Sequence, residues 1–204
     1  MESRLIENFV WFLRQFVAIS DDEVKNFLLP VVILRKFKKR ELITQAGEVE
    51  NFINYIEQGL VLKYYKQGDE EKVVQVSIEG HLVSCEESLY TRNPSEFYLE
   101  AVEPTTLISI SYEDLERVFA SSHNFERLGR LVVTYIMVLK GNWQTNLIKQ
   151  SPRERFLNFF ENYPEILQRV PQKYLASYLN IQPETFSRFK HLVRNEVKPE
   201  NHLI

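Results

Sequence analysis

Between residues 5 and 28 the apolar side chains of LIENFVWFLRQFVAISDDEVKNFL fall at helical spacing, and Ser20-Asp21-Asp22-Glu23 reads as the N-cap of a second, shorter helix. From Val31 to about Ser111 the period shortens. VVILRKF, FINYIEQ, LVLKYYK, KVVQVSI, FYLEAVE and TLISIS are rich in Val, Ile, Tyr and Phe, and most alternate, which predicts short strands. Turn signals separate them at Ala46-Gly47-Glu48, Gln58-Gly59, Gln67-Gly68-Asp69, Glu79-Gly80-His81 and Arg92-Asn93-Pro94. Such a series of short strands, about ten residues apart, predicts an antiparallel sandwich or rolled barrel.

After Ser111 the pattern turns helical and stays so. YEDLERVFA is a short helix capped by Ser111, with Glu113 and Asp114 in its first turn. A longer helix is expected from about Asn124 to Lys149, its apolar positions spaced alternately by three and four. That stripe is wider than one small domain needs. Leu128, Leu131, Val132, Tyr135 and Leu139 are therefore expected to pack on a second copy, burial within one chain being the plainer alternative. Ser151-Pro152-Arg153-Glu154 opens the next helix with a hydroxyl cap, Pro at the first helical position and Glu at the third. The predicted class is α+β, with N-terminal helices and a β-roll over 1–122, a connecting helix over 123–150 and a helical domain over 151–204.

Composition narrows the chemistry. No stretch reaches the ~18 consecutive apolar residues of a membrane span, and the N-terminus carries Glu2, Glu7 and Arg14 without a small-residue cleavage site. Cys85 is the single cysteine, and His81, His123, His191 and His202 lack zinc spacing. A reduced, cytoplasmic chain with no membrane partner and no metal is expected. Nucleophile-elbow, P-loop and Rossmann glycine patterns are absent, so no enzyme is expected. Residues 1–150 hold 17 Lys+Arg against 22 Asp+Glu, a net of −5, whereas 151–204 hold 8 against 6, a net of +2; together they make the −3 of the whole chain. The change of sign points weakly to a C-terminal segment that meets polyanions.

That segment has the dimensions of a helix-turn-helix. Leu175, Ala176 and Leu179 share one face of the first helix, leaving Gln172, Lys173 and Ser177 outward. Asn180 suits a left-handed turn, Ile181 plugs the gap, and Gln182-Pro183-Glu184 starts the second helix. Phe186, Phe189 and Val193 form its buried stripe, while Glu184, Thr185, Ser187, Arg188 and His191 face out. Arg188 has the fork geometry to bond guanine O6 and N7, Glu184 to accept from cytosine N4, and Thr185 or Ser187 to hold a phosphate. The plainer reading is the solvated side of an amphipathic helix.

The run Gln172 to Arg188, QKYLASYLNIQPETFSR, resembles the helix-turn-helix of the Crp–Fnr regulators, and its P-E-T-x-S-R core after YPEILQRVP (163–171) looks like a variant frequent in Bacteroidetes. Upstream, Gln45-Ala46-Gly47-Glu48 and Tyr55-Ile56-Glu57-Gln58-Gly59 look like the first turns of that family's cyclic-nucleotide-binding β-roll, which implies a roll of jelly-roll type. The likeness covers roughly residues 25–195. It implies a homodimeric transcription regulator that binds double-stranded DNA, with RNA polymerase as a further partner. The long helices would pair and set two recognition helices in successive major grooves. By position, Glu184 and Arg188 fall at base-reading sites, Thr185 and Gln172 or Lys173 at phosphate-contacting ones, and Gln182 opens the recognition helix. Pro183 stands where a base-reading side chain often sits and offers nothing.

Two departures from the family pattern alter the expectation. Cyclic-nucleotide binders carry a glycine-glutamate turn and an arginine for the cyclic phosphate; here the stretch is Gly80-His81-Leu82-Val83-Ser84-Cys85-Glu86-Glu87-Ser88, and the arginine site aligns near Ser95-Glu96-Phe97. Glu86 or Glu87 remains a candidate for a ribose, and Arg92 is the cation near enough in sequence to reach in. A carboxylate facing a phosphate is repulsive, so cyclic AMP is not the expected ligand, and an unidentified small-molecule effector takes its place. An iron–sulfur cluster needs four thiolates, which excludes it. His81 is expected to be an exposed turn residue rather than a haem ligand, and Cys85 a small buried residue rather than a redox sensor. The second departure is the tail Asn195–Ile204, too short and polar for the family's DNA-touching wing, which predicts modest, salt-sensitive binding. The alternative function is a cyclic-nucleotide-binding-like module that acts on protein partners and carries a vestigial helix pair.

Overall fold

Ser20 caps the second helix as its spacing asks. Its hydroxyl accepts from the Glu23 amide, while the Glu23 carboxylate accepts from the Ser20 amide. The computed structural model describes residues 6–196, and side chains as far as Leu192. The first helix, α1 (Glu7–Arg14), buries Phe9, Val10 and Leu13; Leu5, at the start of the expected stripe, lies outside the described residues. The second, α2 (Asp21–Glu23), runs on through a π-helical turn (Val24–Leu28) and a 3-10 turn (Leu29–Val31) into the first strand.

Eight strands follow: β1 (Ile33–Phe37), β2 (Leu42–Thr44), β3 (Phe52–Gln58), β4 (Val61–Gln67), β5 (Glu70–Ser77), β6 (Leu82–Val83), β7 (Tyr98–Ala101) and β8 (Thr105–Ser111), with α3 (Glu86–Thr91) between β6 and β7. All pairings are antiparallel and form two four-stranded sheets, ordered β1-β8-β3-β6 and β2-β7-β4-β5. The six strands expected from alternation are present. β2, β6 and α3 were not expected, because two- and three-residue strands and a six-residue helix carry too little pattern to register.

Both sheets are covered on both faces. Between them lie Ile56, Val61, Val83, Leu99 and Leu107. On the outer face of the first sheet, Tyr55, Ile108 and Ile110 pack with the N-terminal helices and with Leu115, Phe125 and Leu128. On the outer face of the second, Leu60, Leu62 and Tyr64 share a core with Phe156, Leu175 and Phe186 from the C-terminal helices. Hence β4 is buried without a break from Val61 to Tyr64, and its alternation is lost. At the turn before it, Gly59 has φ +103° and passes so close to Thr105 that a side chain there would collide with the threonine Oγ1.

The remaining helices are α4 (Tyr112–Ser121), α5 (His123–Lys149), α6 (Pro152–Asn162), α7 (Ile166–Arg169), α8 (Gln172–Tyr178) and α9 (Pro183–Glu196). Ser111, Ser122 and Ser151 cap three of them, the last with a full capping box and Pro152 in the first turn. Among the described residues no helix is long and apolar enough to cross a membrane. On α5 the expected pairing stripe divides. Leu128 and Val132 are buried in their own chain's core, a correction to their expected role on a second copy; Leu131 is half-buried, and Tyr135 and Leu139 remain exposed. The physical reason is that α1, the π-helical turn Val24–Leu28 and α4 occupy that side of the first three turns.

Glu57, on β3, is half-buried; its Oε1 accepts from Asn8 at 2.7 Å, while its buried Oε2 has no hydrogen-bond partner among the described residues. Burial raises its pKa, against the lowering effect of Asn8. A raised carboxyl pKa stabilises the fold below its ordinary value near ~4.3 and loses that contribution as pH rises through the raised value. Glu57→Gln is therefore expected to flatten this part of the stability profile and to gain about 1 kcal/mol near neutrality, read by urea unfolding across pH.

Candidate functional site

α8 and α9 make the expected helix pair. Leu175, Ala176, Leu179, Ile181 and Phe186 are buried between and beneath them, and Asn180 adopts the left-handed conformation (φ 50°) at the turn. On α9, Glu184, Arg188 and His191 recur at i, i+4 and i+7 and are all exposed, while Thr185 and Ser187 are half-buried beside them. Gln182 and Pro183 are exposed at the helix start. Val193, expected in the buried stripe, has its side chain outside the described residues, as does the tail beyond Glu196 where a wing would begin.

The first helix is less free than its polarity suggested. β5 is an edge strand, and α8 covers it: the Val73 amide donates to Ser177 Oγ at 2.9 Å. Ser177 is thus half-buried against the roll, a correction to its expected outward position. Gln172 and Lys173 are exposed, but the Lys173 ammonium is held by Glu71 at 3.0 Å. Just before α8, Arg169 is gripped by Glu79 at 2.7 Å and Glu103 at 2.6 Å, which raise its pKa further. Asp69, Glu70, Glu71 and Lys72 line a polar cleft of about 360 Å3 against Lys173, Gln182 and Pro183.

Two contacts join this helix pair to the end of α5. The Trp143 ring lies parallel to Tyr178 at 4.3 Å between centroids. Arg155, on α6, is buried, and its guanidinium donates to four carbonyls: Leu179 at 2.7 Å, Asn180 at 2.9 Å, Gln150 at 2.6 Å and Leu147 at 3.3 Å. The first two belong to the turn between α8 and α9, the others to the end of α5. One cation thus satisfies the negative ends of two helices. Sequence reasoning missed Arg155; its signal is a charge set directly beside Phe156 on the apolar side of α6.

The effector-side candidates scatter. Ser84 and Cys85 are buried and Glu86 is half-buried; Glu87 is more exposed. Cys85 points into the space between the sheets, and burial pushes its thiol up to about 12. Ser95 is buried and engaged with the backbone of Phe97, whereas Glu96 is exposed and does not face the interior. Arg92 does not reach in either: its guanidinium bonds the Glu50 and Leu89 carbonyls and the Asn51 side chain, and stacks over Tyr112. The alignment set Glu96 at the phosphate position, and Arg92 was the cation near enough in sequence to reach it; the left-handed residue Arg92 (φ 59°), which ends α3, turns its chain toward the 50–51 loop instead.

The cation inside is Lys63, which sequence reasoning passed over as part of a strand. It lies on β4, its side chain is 5% exposed, and its ammonium bonds Glu86 and Glu87 at 2.9 Å each and the Ser84 carbonyl at 3.3 Å. The Phe97 ring lies beneath it at 4.7 Å. Burial alone would lower the Lys63 pKa, but Glu86 and Glu87 override it and hold the pKa above the ordinary value. Burial likewise opposes ionisation of Glu86, yet Lys63 and Lys140 keep its pKa below the usual range. Lys140 comes from α5 and meets Glu86 at 2.9 Å, so this cluster ties the long helix to α3.

Residues 34–122 match the family described as "Cyclic nucleotide-binding domain". FixK2 from Bradyrhizobium japonicum superposes with a TM-score of 0.69 at 16% identity, over 81% of this chain and 86% of that one. The c-di-GMP responsive global regulator CLP of Xanthomonas campestris gives 0.65 at 17% identity, over 87% and 93%. The catabolite activator protein of Thermus thermophilus gives 0.55 at 19%, over 91% and 87%. No curated protein matches the sequence. At these identities the likeness is one of fold: a cyclic-nucleotide-binding jelly roll with C-terminal helices, shared with regulators of transcription.

Proposed function

We propose that this chain is a homodimeric, DNA-binding transcription regulator whose β-roll is a sensor that does not take cyclic AMP in the usual way. The observation that carries it is the outward stripe Glu184, Arg188 and His191 on α9, exposed and without an ion pair among the described residues. Dimerisation is supported by Val133, Tyr135, Met137, Val138 and Leu139 of α5, five large apolar side chains exposed within two turns. Against cyclic AMP stands the Lys63 cluster, whose ammonium is already matched by the chain's own carboxylates, so a cyclic phosphate would bring a further negative charge beside Glu86 and Glu87. RNA polymerase as a partner belongs to the same proposal.

A second reading, a module acting on protein partners, is favoured by one feature: the acidic tip Asp69-Glu70-Glu71 flanks the Lys173 edge of the helix pair. Binding to DNA from the region upstream of the chain's own gene separates the readings. Fluorescence anisotropy with the wild type and Arg188→Ala is expected to show specific binding weakened about tenfold or more, with nonspecific binding little changed. Affinity is expected to fall steeply as salt rises. Equal binding by both proteins removes the base-reading role, and association insensitive to salt supports the protein-partner reading instead.

A further inference from the structure

We propose that the cleft between the outer face of the first sheet and helices α1, α4 and α5 is a binding site for an uncharged, largely apolar small molecule with one hydrogen-bonding end. This deepens the sensor reading above and rests on it.

The cleft measures about 460 Å3, within the ~300–1,000 Å3 typical of small-molecule sites. Ile53 and Ile110 form its sheet wall, Leu13 and Phe119 come from the flanking helices, and Val132 and Ile136 from α5. A helix from a second copy, ~10–12 Å across with its side chains, would cover the exposed Val133 and Met137 at the mouth and leave the floor at buried Leu28 and Phe125 to something smaller.

Two glycines of α5 line this space, and they differ. A side chain at Gly129 would meet the Phe119 ring at 2.6 Å, so packing demands that glycine. A side chain at Gly141 would meet nothing within 4 Å. Glycine weakens a helix interior, and no neighbour in this chain calls for it at 141; its missing side chain leaves that part of the mouth open.

The charges at the mouth decide the ligand class. Glu86 and Lys140 line it, 2.9 Å apart, and Glu86 is paired again with buried Lys63. An added anion would meet the Glu86 carboxylate, and an added cation would meet the Lys140 ammonium. An uncharged molecule disturbs neither pair. Its hydrogen-bonding end would find Ser84, Tyr90 and Gln144 at the same end of the cleft. Because one wall is α5 and the mouth holds the contact between α5 and α3, occupancy would bear on the position of the long helix.

The test uses the full chain without DNA and two fluorophores that share one ring framework: uncharged N-phenylnaphthylamine and anionic anilinonaphthalene sulfonate. The uncharged probe is expected to bind saturably, one per chain, and about tenfold more tightly than the anion. Cyclic AMP is expected not to displace it. Ile136→Trp fills the space beside the α5 wall and Gly141→Leu the mouth; both are expected to weaken probe binding about tenfold or more without lowering the thermal midpoint. Gly141→Leu adds a good helix former in open space, so the fold survives even where the tryptophan is not accommodated. The site is overturned by absence of saturable binding, by unchanged affinity in both variants, or by probe release that tracks self-association as protein concentration rises. Equal or tighter binding of the anion overturns the ligand class. Failure here leaves the DNA reading standing, and failure of DNA binding leaves this result intact.

Discussion

Arg155→Ala is expected to lower the unfolding free energy by about 3–5 kcal/mol, the largest loss at any single polar residue of the C-terminal half. The substitution leaves four carbonyls without their donor, two at the end of α5 and two at the turn between α8 and α9. Each such bond to a charged group contributes about 1.5–3 kcal/mol, and they do not add, since relaxed ends recover water. For a chain of this size the loss corresponds to a fall in thermal midpoint of about 10 °C. Arg155→Lys keeps the charge at the two helix ends but not the planar fork, and should recover less than half of the loss. DNA binding supplies a second readout. Below the melting range, Arg155→Lys should still weaken specific binding, because the turn that aims α9 is no longer fixed to the long helix. Wild-type stability and wild-type affinity in Arg155→Lys together would remove this role.

Arg155 also marks where reading the sequence stopped. Ser20, Ser111 and Ser151 were legible as caps because a cap depends on residues three positions away. Asn180 was legible because few side chains tolerate a left-handed turn. The strands with clear alternation were legible too, and so was the exposed stripe of α9. What was not legible depends on partners far along the chain. Ser177 reads as a solvated helix residue until the Val73 amide, 104 positions away, is placed against it. Leu128 and Val132 read as pairing residues until α1 and α4 are seen to cover them. The 27 residues of α5 carry an apolar pattern that serves two neighbours at once, and periodicity alone does not divide it. The effector side failed for a different reason. Glu96 was placed by alignment to a pattern and Arg92 by nearness in sequence, while the charge that matters, Lys63, sits in a strand buried on both faces, where a lysine has no reason to be unless carboxylates meet it.

Lys63→Met carries the other large effect. It leaves Glu86 with Lys140 alone and Glu87 with no ion-pair partner among the described residues. Removing one member of a buried pair is strongly destabilising, about 3–5 kcal/mol in the buried limit, because the remaining charge loses both water and partner. Glu87 is partly exposed and recovers solvent, which sets the expectation at the lower end, about 2–3 kcal/mol by urea unfolding near neutral pH. The sign of the pH dependence follows from the directions of the shifts. Glu86 is depressed in the wild type, so its contribution is present above the ordinary carboxylate value near ~4.3 and is lost as pH falls through the lowered value. Lys63 is raised, so its contribution is present below the ordinary lysine value near ~10.4 and is lost as pH rises through the raised value. The gap between wild type and Lys63→Met should therefore be widest between those limits and narrow on acidification, as protonation relieves the stranded carboxylates. The triple variant Lys63→Met, Glu86→Gln, Glu87→Gln should recover most of the stability, since a neutral cluster has no charge left to bury. It should also free Lys140, which then has no carboxylate to hold it, and loosen α5 from α3. Hydrogen exchange across 84–91 and 136–144 reads that step directly. Protection equal to wild type in the triple variant would mean that apolar packing, rather than the paired charges, fixes the long helix to the roll.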